Sequence, residues 1–265
     1  MRTVTSKDGT KLAYDVMGAK GTGPDLIYIT GAICHRTFMP IVKDSKVFAQ
    51  TFNVYSYDRR GRGDSTDSQP YAIEREVEDL VALIDTIGRP TFLYGHSSGA
   101  VIALETALRH PDKVRGVVLY DIPYAESEAS NAEYSVLRQQ VTASLEAGKN
   151  GQAIRRFLIG IGMPKAFVYL MPLMPGWGKI KQLAPTLLYD MELTGVLTPI
   201  ARIAKVQVPL FAVYGEKTSP SILAVAKQMK AGLPNLRHIE IKKQDHMVDG
   251  KVMLETLREL LLPLA

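Results

Sequence analysis

Short apolar runs alternate along this chain with longer stretches in which apolar residues recur every three or four positions. The runs are Asp25-Leu26-Ile27-Tyr28-Ile29, Phe52-Asn53-Val54-Tyr55-Ser56-Tyr57, Thr91-Phe92-Leu93-Tyr94 and residues 114–120, 208–214 and 237–242. Runs of this length, rich in β-branched and aromatic side chains and bounded by turn residues, predict buried strands. Between them lie helical patterns. Ile73, Val77, Leu80, Ile84 and Ile87 share one helical face, which Gly88 and Pro90 stop. Further helices are predicted over 101–109, closed by His110-Pro111, over 219–231 and over 251–262. Residues 1–19 read as a hairpin turning at Lys7-Asp8-Gly9. Buried strands alternating with helices predict an α/β fold, a mostly parallel sheet with helices on both faces.

The alternation breaks between Ile122 and about Lys205. No strand signal recurs there, and helical stretches are interrupted by Gly148, Gly151, Pro164, Pro172, Pro175, Gly176 and Pro185. This predicts a helical insertion, with residues 1–122 and 206–265 forming the core and 123–205 a cap. Its Met163, Phe167 and Trp177 either pack lid helices on the core or shape an adaptable apolar pocket; both readings stay open.

Composition narrows the class. The 265 residues, 46% hydrophobic, suit one α/β domain with an insertion. The single cysteine, Cys34, excludes an intrachain disulfide and a cysteine-rich metal site. Residues 1–8 lack an apolar signal core, and no uncharged apolar run reaches 18 residues, so a cytoplasmic protein with no membrane insertion is the expectation. The net charge of +5 comes without an aromatic-interleaved basic tract, which argues against nucleic acid.

The chemistry concentrates in Tyr94-Gly95-His96-Ser97-Ser98-Gly99-Ala100. A G-x-S-x-G between strand and helix is a nucleophile elbow: the tight turn lifts the Ser97 hydroxyl above the sheet, and Gly95 and Gly99 remove side chains that would collide with the neighbouring elements. In a parallel sheet the site lies beyond the strand carboxyl ends. Ala32, Asp58, Ser97, Asp121, Glu216 and His246 all fall at or just past such ends. Among the other histidines, His96 reads as a packing or turn residue, His110 as a helix-end cap and His238 as a strand surface residue; His35 is a candidate for the pocket mouth. No histidine pair has metal-ligand spacing. Asp58 with Arg59, Arg60 and Arg62 reads as loop-stitching structure rather than an anion site.

Taken together, the Gly95–Gly99 elbow, the Asp58-Arg59-Arg60-Gly61-Arg62-Gly63-Asp64-Ser65 loop and the late Gln244-Asp245-His246 resemble the α/β-hydrolase superfamily over the whole chain. The resemblance implies an α/β-hydrolase sheet with an inserted helical cap, Ser97 as nucleophile and His246 as general base. It implies an oxyanion hole from the backbone N–H groups of Ala32 and Ser98, although Thr30-Gly31 stands where the family has His-Gly. It further implies a small apolar ester or lactone as substrate and no cofactor. Perhydrolysis, thioester or C–C bond hydrolysis, a lyase reaction, or a non-catalytic receptor on the same fold remain alternatives, as does a homo-oligomer. The triad acid presents a choice. The usual place after the seventh strand reads Gly215-Glu216-Lys217-Thr218, with a threonine at the acid position. Asp121, at the end of the sixth strand in Tyr120-Asp121-Ile122-Pro123, matches the acid site of the lactone hydrolases and haloalkane dehalogenases that the chain resembles there. Asp121 is the preferred acid and Glu216 the alternative.

Overall fold

The computed structural model describes residues 1–18 and 23–265; Ala19, the last residue of the expected hairpin, lies outside them. Strands β1 (Arg2–Thr5) and β2 (Lys11–Met17) form the hairpin. Then follow β3 (Asp25–Ile29), α1 (Met39–Phe48), β4 (Asn53–Tyr57), α2 (Ile73–Ile87), β5 (Thr91–His96), α3 (Ser98–Arg109) and β6 (Val114–Tyr120). Six helices come next: α4 (Glu128–Glu146), α5 (Asn150–Gly160), α6 (Lys165–Leu170), α7 (Trp177–Gln182), α8 (Leu187–Thr194) and α9 (Ile200–Ile203). The chain ends with β7 (Leu210–Gly215), α10 (Pro220–Gly232), β8 (Arg237–Ile241) and α11 (Gly250–Leu261). Helix α1 is missing from the sequence reading. Pro40 and the charged Lys43, Asp44 and Lys46 dilute its apolar face, of which only Ile41, Ser45 and Phe48 are buried.

The eight strands form one sheet in the order β1-β2-β4-β3-β5-β6-β7-β8. Every pair from β4 to β8 is parallel, and β2 joins the sheet antiparallel to β4. Period-two alternation divides the strand residues between two cores. Ile27, Ile29 and Leu93 pack on one side with Leu80 and Ile84 of α2, Val101 and Leu104 of α3, and Met229 of α10. Leu26, Tyr28, Phe92 and Tyr94 pack on the other with Ile41 and Phe48 of α1 and Met253 and Leu257 of α11. Helix α3 is buried from Ser98 to Ala107, which explains its apolar sequence. The helices between β6 and β7 hold a third core of their own, including Val141, Ile154, Phe157, Val168 and Leu187. Helix α8 ties that core to the sheet by packing on α3 and α2. No helix among the described residues is long and apolar enough to cross a membrane.

Candidate active site

Strand β5 is central in the sheet, with β3 and β6 on its two sides. Ser97 follows it at φ 55°, ψ −130°, a conformation rare for a residue with a Cβ. Two glycines make the turn sterically feasible. A Cβ on Gly99 would sit 2.2 Å from the Ile29 carbonyl oxygen, and one on Gly95 2.5 Å from Ala100 Cα. The Ser97 N–H donates to the Tyr120 carbonyl (2.9 Å), which pins the strained residue to β6.

A cavity of about 1110 Å³ opens above this edge. Ala32, Ser97, Ser98 and His246 line it together with insert residues such as Tyr134, Phe157, Met163 and Phe167. The wall is mostly apolar, with polar groups converging at one end, the usual composition of a small-molecule site.

His246 Nδ1 lies 2.9 Å from Asp121 Oδ2. Asp121 is buried, at φ 47° beyond β6, and its N–H donates to the Val213 carbonyl. Its carboxylate also accepts from the Gly215 N–H (3.2 Å) and the Thr218 hydroxyl (2.6 Å). Thr218 therefore occupies the place after the seventh strand as a donor to the carboxylate on the sixth. With Nδ1 carrying the proton donated to Asp121, the other ring nitrogen is an acceptor. Ser97 and His246 line the same cavity and make no hydrogen bond to each other in this structure, an arrangement common before substrate binds.

Glu216 is elsewhere. Its carboxylate accepts from the Lys243 N–H (2.7 Å) and pairs with Lys242 (3.4 Å), contacts that hold it below the ordinary carboxylate range. It makes no hydrogen bond or ion pair with His246, whereas Asp121 does. His35 is also displaced from its expected place. It is buried, with Nδ1 2.9 Å from the Thr37 hydroxyl and its ring against Phe38, and it does not line the cavity. Trp177 likewise packs within the insert, its ring facing Gly151, rather than on the cavity wall. Met163 and Phe167 do line it.

His96 serves the histidine loop. Its Nε2 lies 2.8 Å from the His246 carbonyl oxygen, so Nε2 carries the proton. The ring stacks on Tyr120 and sits 4.8 Å from the His246 ring. Burial, and then the neighbouring His246, push its pKa down to about 4, which keeps it a neutral donor.

The arginine loop behaves as stitching, and it has a partner that sequence reasoning missed. Arg59, Arg60 and Arg62 are fully buried. Arg60 pairs with Asp79 and Asp8, and Arg59 with Glu76. Asp190, on α8 of the insert, binds Arg59 (2.8 Å) and Arg62 (2.7 Å) and accepts the Ser98 hydroxyl (2.7 Å). Burial alone would raise its pKa, but the two arginines outweigh it and hold Asp190 ionised. The signal available in the sequence was a lone carboxylate inside the apolar Leu187-Leu188-Tyr189-Asp190-Met191, facing a surplus of arginines.

This cluster orients the loop after β3. Arg62 Nη1 donates to the Gly31 carbonyl (2.7 Å). In a trans peptide the next N–H points the opposite way, so the contact sets the direction of the Ala32 N–H. Among the described residues neither the Ala32 nor the Ser98 N–H has a hydrogen-bond acceptor. Ser98 opens α3, where first-turn N–H groups are unpaired and the helix dipole is positive. No group of three or more potential metal ligands occurs among the described residues.

A strained serine at a strand–helix elbow, a histidine held by a buried carboxylate and two free N–H groups at one cavity are the equipment of a hydrolase. The sequence profile described as the alpha/beta hydrolase family matches residues 30–251, and the chain belongs to that family. It is 31% identical over 151 residues to a 2-(acetamidomethylene)succinate hydrolase of Mesorhizobium japonicum, a match covering 53% of this chain and 50% of that protein. It is 42% identical over 69 residues, 26% of each chain, to a pimeloyl-[acyl-carrier protein] methyl ester esterase of Neisseria meningitidis. The chain thus spans half or less of the length of these curated relatives. An alpha/beta hydrolase of Sphaerobacter thermophilus superposes with a TM-score of 0.86 at 32% identity, over 98% of this chain and 99% of that one.

Proposed function

We propose that this hydrolase cleaves a carboxylic ester or lactone through an acyl-enzyme on Ser97, with His246 as base and Asp121 as the acid that orients it. Ser97 Oγ attacks the carbonyl carbon as His246 Nε2 takes its proton. The oxyanion is received by the Ala32 and Ser98 N–H groups. The C–O bond then breaks and His246 returns the proton to the leaving alcohol, which stays tethered in a lactone. Water attacks the acyl carbon, again losing a proton to His246, and Ser97 is regenerated. Asp121 stabilises the imidazolium without taking its proton. The insert acts as a cap, with Met163 and Phe167 facing the acyl or ring portion of the substrate.

The observation that carries this reading is the 2.9 Å contact between His246 and a buried carboxylate, at a histidine that shares its cavity with a strained elbow serine. The methyl ester named for the Neisseria relative supports ester over amide chemistry. The test combines labelling and turnover. A fluorophosphonate should modify Ser97, and Ser97→Ala should lower kcat on p-nitrophenyl esters or lactones by on the order of 10⁴-fold with the fold intact. Faster turnover of thioesters than of either class moves the reading to thioester hydrolysis. Binding without turnover of any class makes the protein a receptor.

A further inference from the structure

The positive charge of this chain is unevenly placed. Between Glu146 and Asp190 there is no carboxylate side chain, and there are six cations: Lys149, Arg155, Arg156, Lys165, Lys179 and Lys181. The other 26 cationic side chains face 27 carboxylates, so the net +5 resides wholly in this part of the insert. Among the described residues none of the six lies within 4.0 Å of a carboxylate, whereas flanking arginines do pair, Arg138 with Glu192 and Arg202 with Glu105.

Lys149, Arg155 and Lys181 line one cleft of about 900 Å³ between α5 and α7, with Gly148, Gly151 and Gly178 and no carboxylate. The chain between α5 and α7, the two helices that wall this cleft, exposes apolar side chains: Tyr169 is 64% exposed, Leu170 58%, Leu173 81% and Met174 49%. Surface exposing that much apolar area in a short segment marks a contact face. A second copy of this chain fits it poorly, because a two-fold contact sets the same cations against themselves. An anionic bilayer answers both features: its headgroups balance the lysines, and its acyl boundary takes the apolar side chains.

We infer that residues 149–181 dock this enzyme on an anionic lipid surface, seating headgroup phosphates in the Lys149–Arg155–Lys181 cleft and Leu170 and Leu173 at the acyl boundary. The contact is peripheral. Phe167, 44% exposed, belongs to the same segment and also lines the cavity above Ser97, so the segment that docks also forms part of the cavity wall. The inference goes beyond the proposed hydrolysis and does not depend on it, since Ser97→Ala should bind vesicles as the native protein does.

The test is co-sedimentation of the full chain with vesicles of phosphatidylcholine containing phosphatidylglycerol, against pure phosphatidylcholine, at low and high salt. Binding is expected only with phosphatidylglycerol and should weaken as salt screens it. The triple variant Lys165→Gln, Lys179→Gln, Lys181→Gln should bind on the order of 100-fold more weakly. Leu170→Ser with Leu173→Ser should bind roughly tenfold or more weakly. The vesicle measurements on the native protein and on these two variants are paired with hydrolysis of a soluble p-nitrophenyl ester, which both variants should retain. No binding to phosphatidylglycerol vesicles, equal binding by the triple variant, or saturable binding of inorganic phosphate without vesicle binding overturns the inference. So does self-association that the double variant abolishes. Vesicle binding without ester hydrolysis leaves the docking surface standing and removes the hydrolase proposal alone.

Discussion

At the carboxyl edge of the sheet, Ile33 (φ 48°), Ser97 (φ 55°), Asp121 (φ 47°) and Lys243 (φ 62°) all adopt positive φ. Residues 123–205 of the insert, which roof the same cavity, contain no non-glycine residue in that region of backbone space. Each such residue costs on the order of 1–3 kcal/mol and persists only where its surroundings over-determine it. At the sheet edge they do, through ladder hydrogen bonds and two packed cores. The charges follow the same division. Those beneath the site are buried and paired with carboxylates, whereas the six of the outer insert have no carboxylate partner, and Lys149, Lys165, Lys179 and Lys181 among them are exposed. The sheet edge spends stability on fixed geometry, while the insert is built of relaxed helices that shape and present a surface.

The largest effect should come from breaking the fixed edge. Asp121→Asn removes the charge that holds the His246 tautomer, and kcat should fall by on the order of 10³–10⁴-fold with little change in folding. Glu216→Gln alters only an exposed ion pair with Lys242 and a hydrogen bond from the Lys243 backbone N–H, and its kcat should stay within about threefold of native. Steady-state kinetics of the pair decide the matter: near-native turnover in Asp121→Asn removes Asp121 from the triad.

Asp190 joins the two regions, and its loss should have the next largest effect. Asp190→Asn leaves Arg59 and Arg62 short of a buried counter-charge, which should cost about 3 kcal/mol in urea unfolding. Because Arg62 orients the Gly31–Ala32 peptide, kcat should also fall, by on the order of tenfold, with KM changed less. A loss of stability with kcat intact would make the cluster structural glue only.

The same division explains what the sequence revealed. Strands, elbow and His246 were legible because local patterns encode them: period-two burial, a glycine pair that only a tight turn requires, and residues stationed at strand ends. The placing of Asp121 beside His246 was legible because Thr218 cannot bear charge, and the threonine is a hydrogen-bond donor to that carboxylate. The insert was legible only as helical. Whether an aromatic residue faces the cavity or the insert's own core depends on helix packing across long sequence separations. Phe167 and Trp177 stand ten residues apart on similar short helices and face different surroundings. Asp190 was hidden for the same reason, since its arginines lie on a loop some 130 positions earlier.

The smallest effect is one of pH, and it separates the regions again. It resides at the sheet edge, in His96, whose affinity for a proton differs between the folded and the unfolded chain. Unfolded, it takes up a proton near pH 6.5, as an ordinary histidine does; folded, burial and then His246 push this down to about 4. Between those values the unfolded chain binds more protons, so the His96 contribution is complete above pH 6.5 and is lost as pH falls toward 4. The full shift corresponds to roughly 3 kcal/mol. The ring edge reaches solvent, so on the order of 2 kcal/mol is expected. Asp44 and Asp79 work in the opposite sense: burial raises their carboxyls from 3.8 to about 6, which disfavours the folded state as pH rises through that range. The native protein alone therefore shows a muted profile, and a difference measurement isolates His96. His96→Gln keeps an N–H donor for the His246 carbonyl but does not titrate. Its stability deficit relative to the native protein, from urea midpoints at constant ionic strength, should shrink by on the order of 2 kcal/mol between pH 7 and pH 4. An unchanged deficit would mean that His96 is not held neutral, and that the histidine loop is fixed by Tyr120 and the backbone instead.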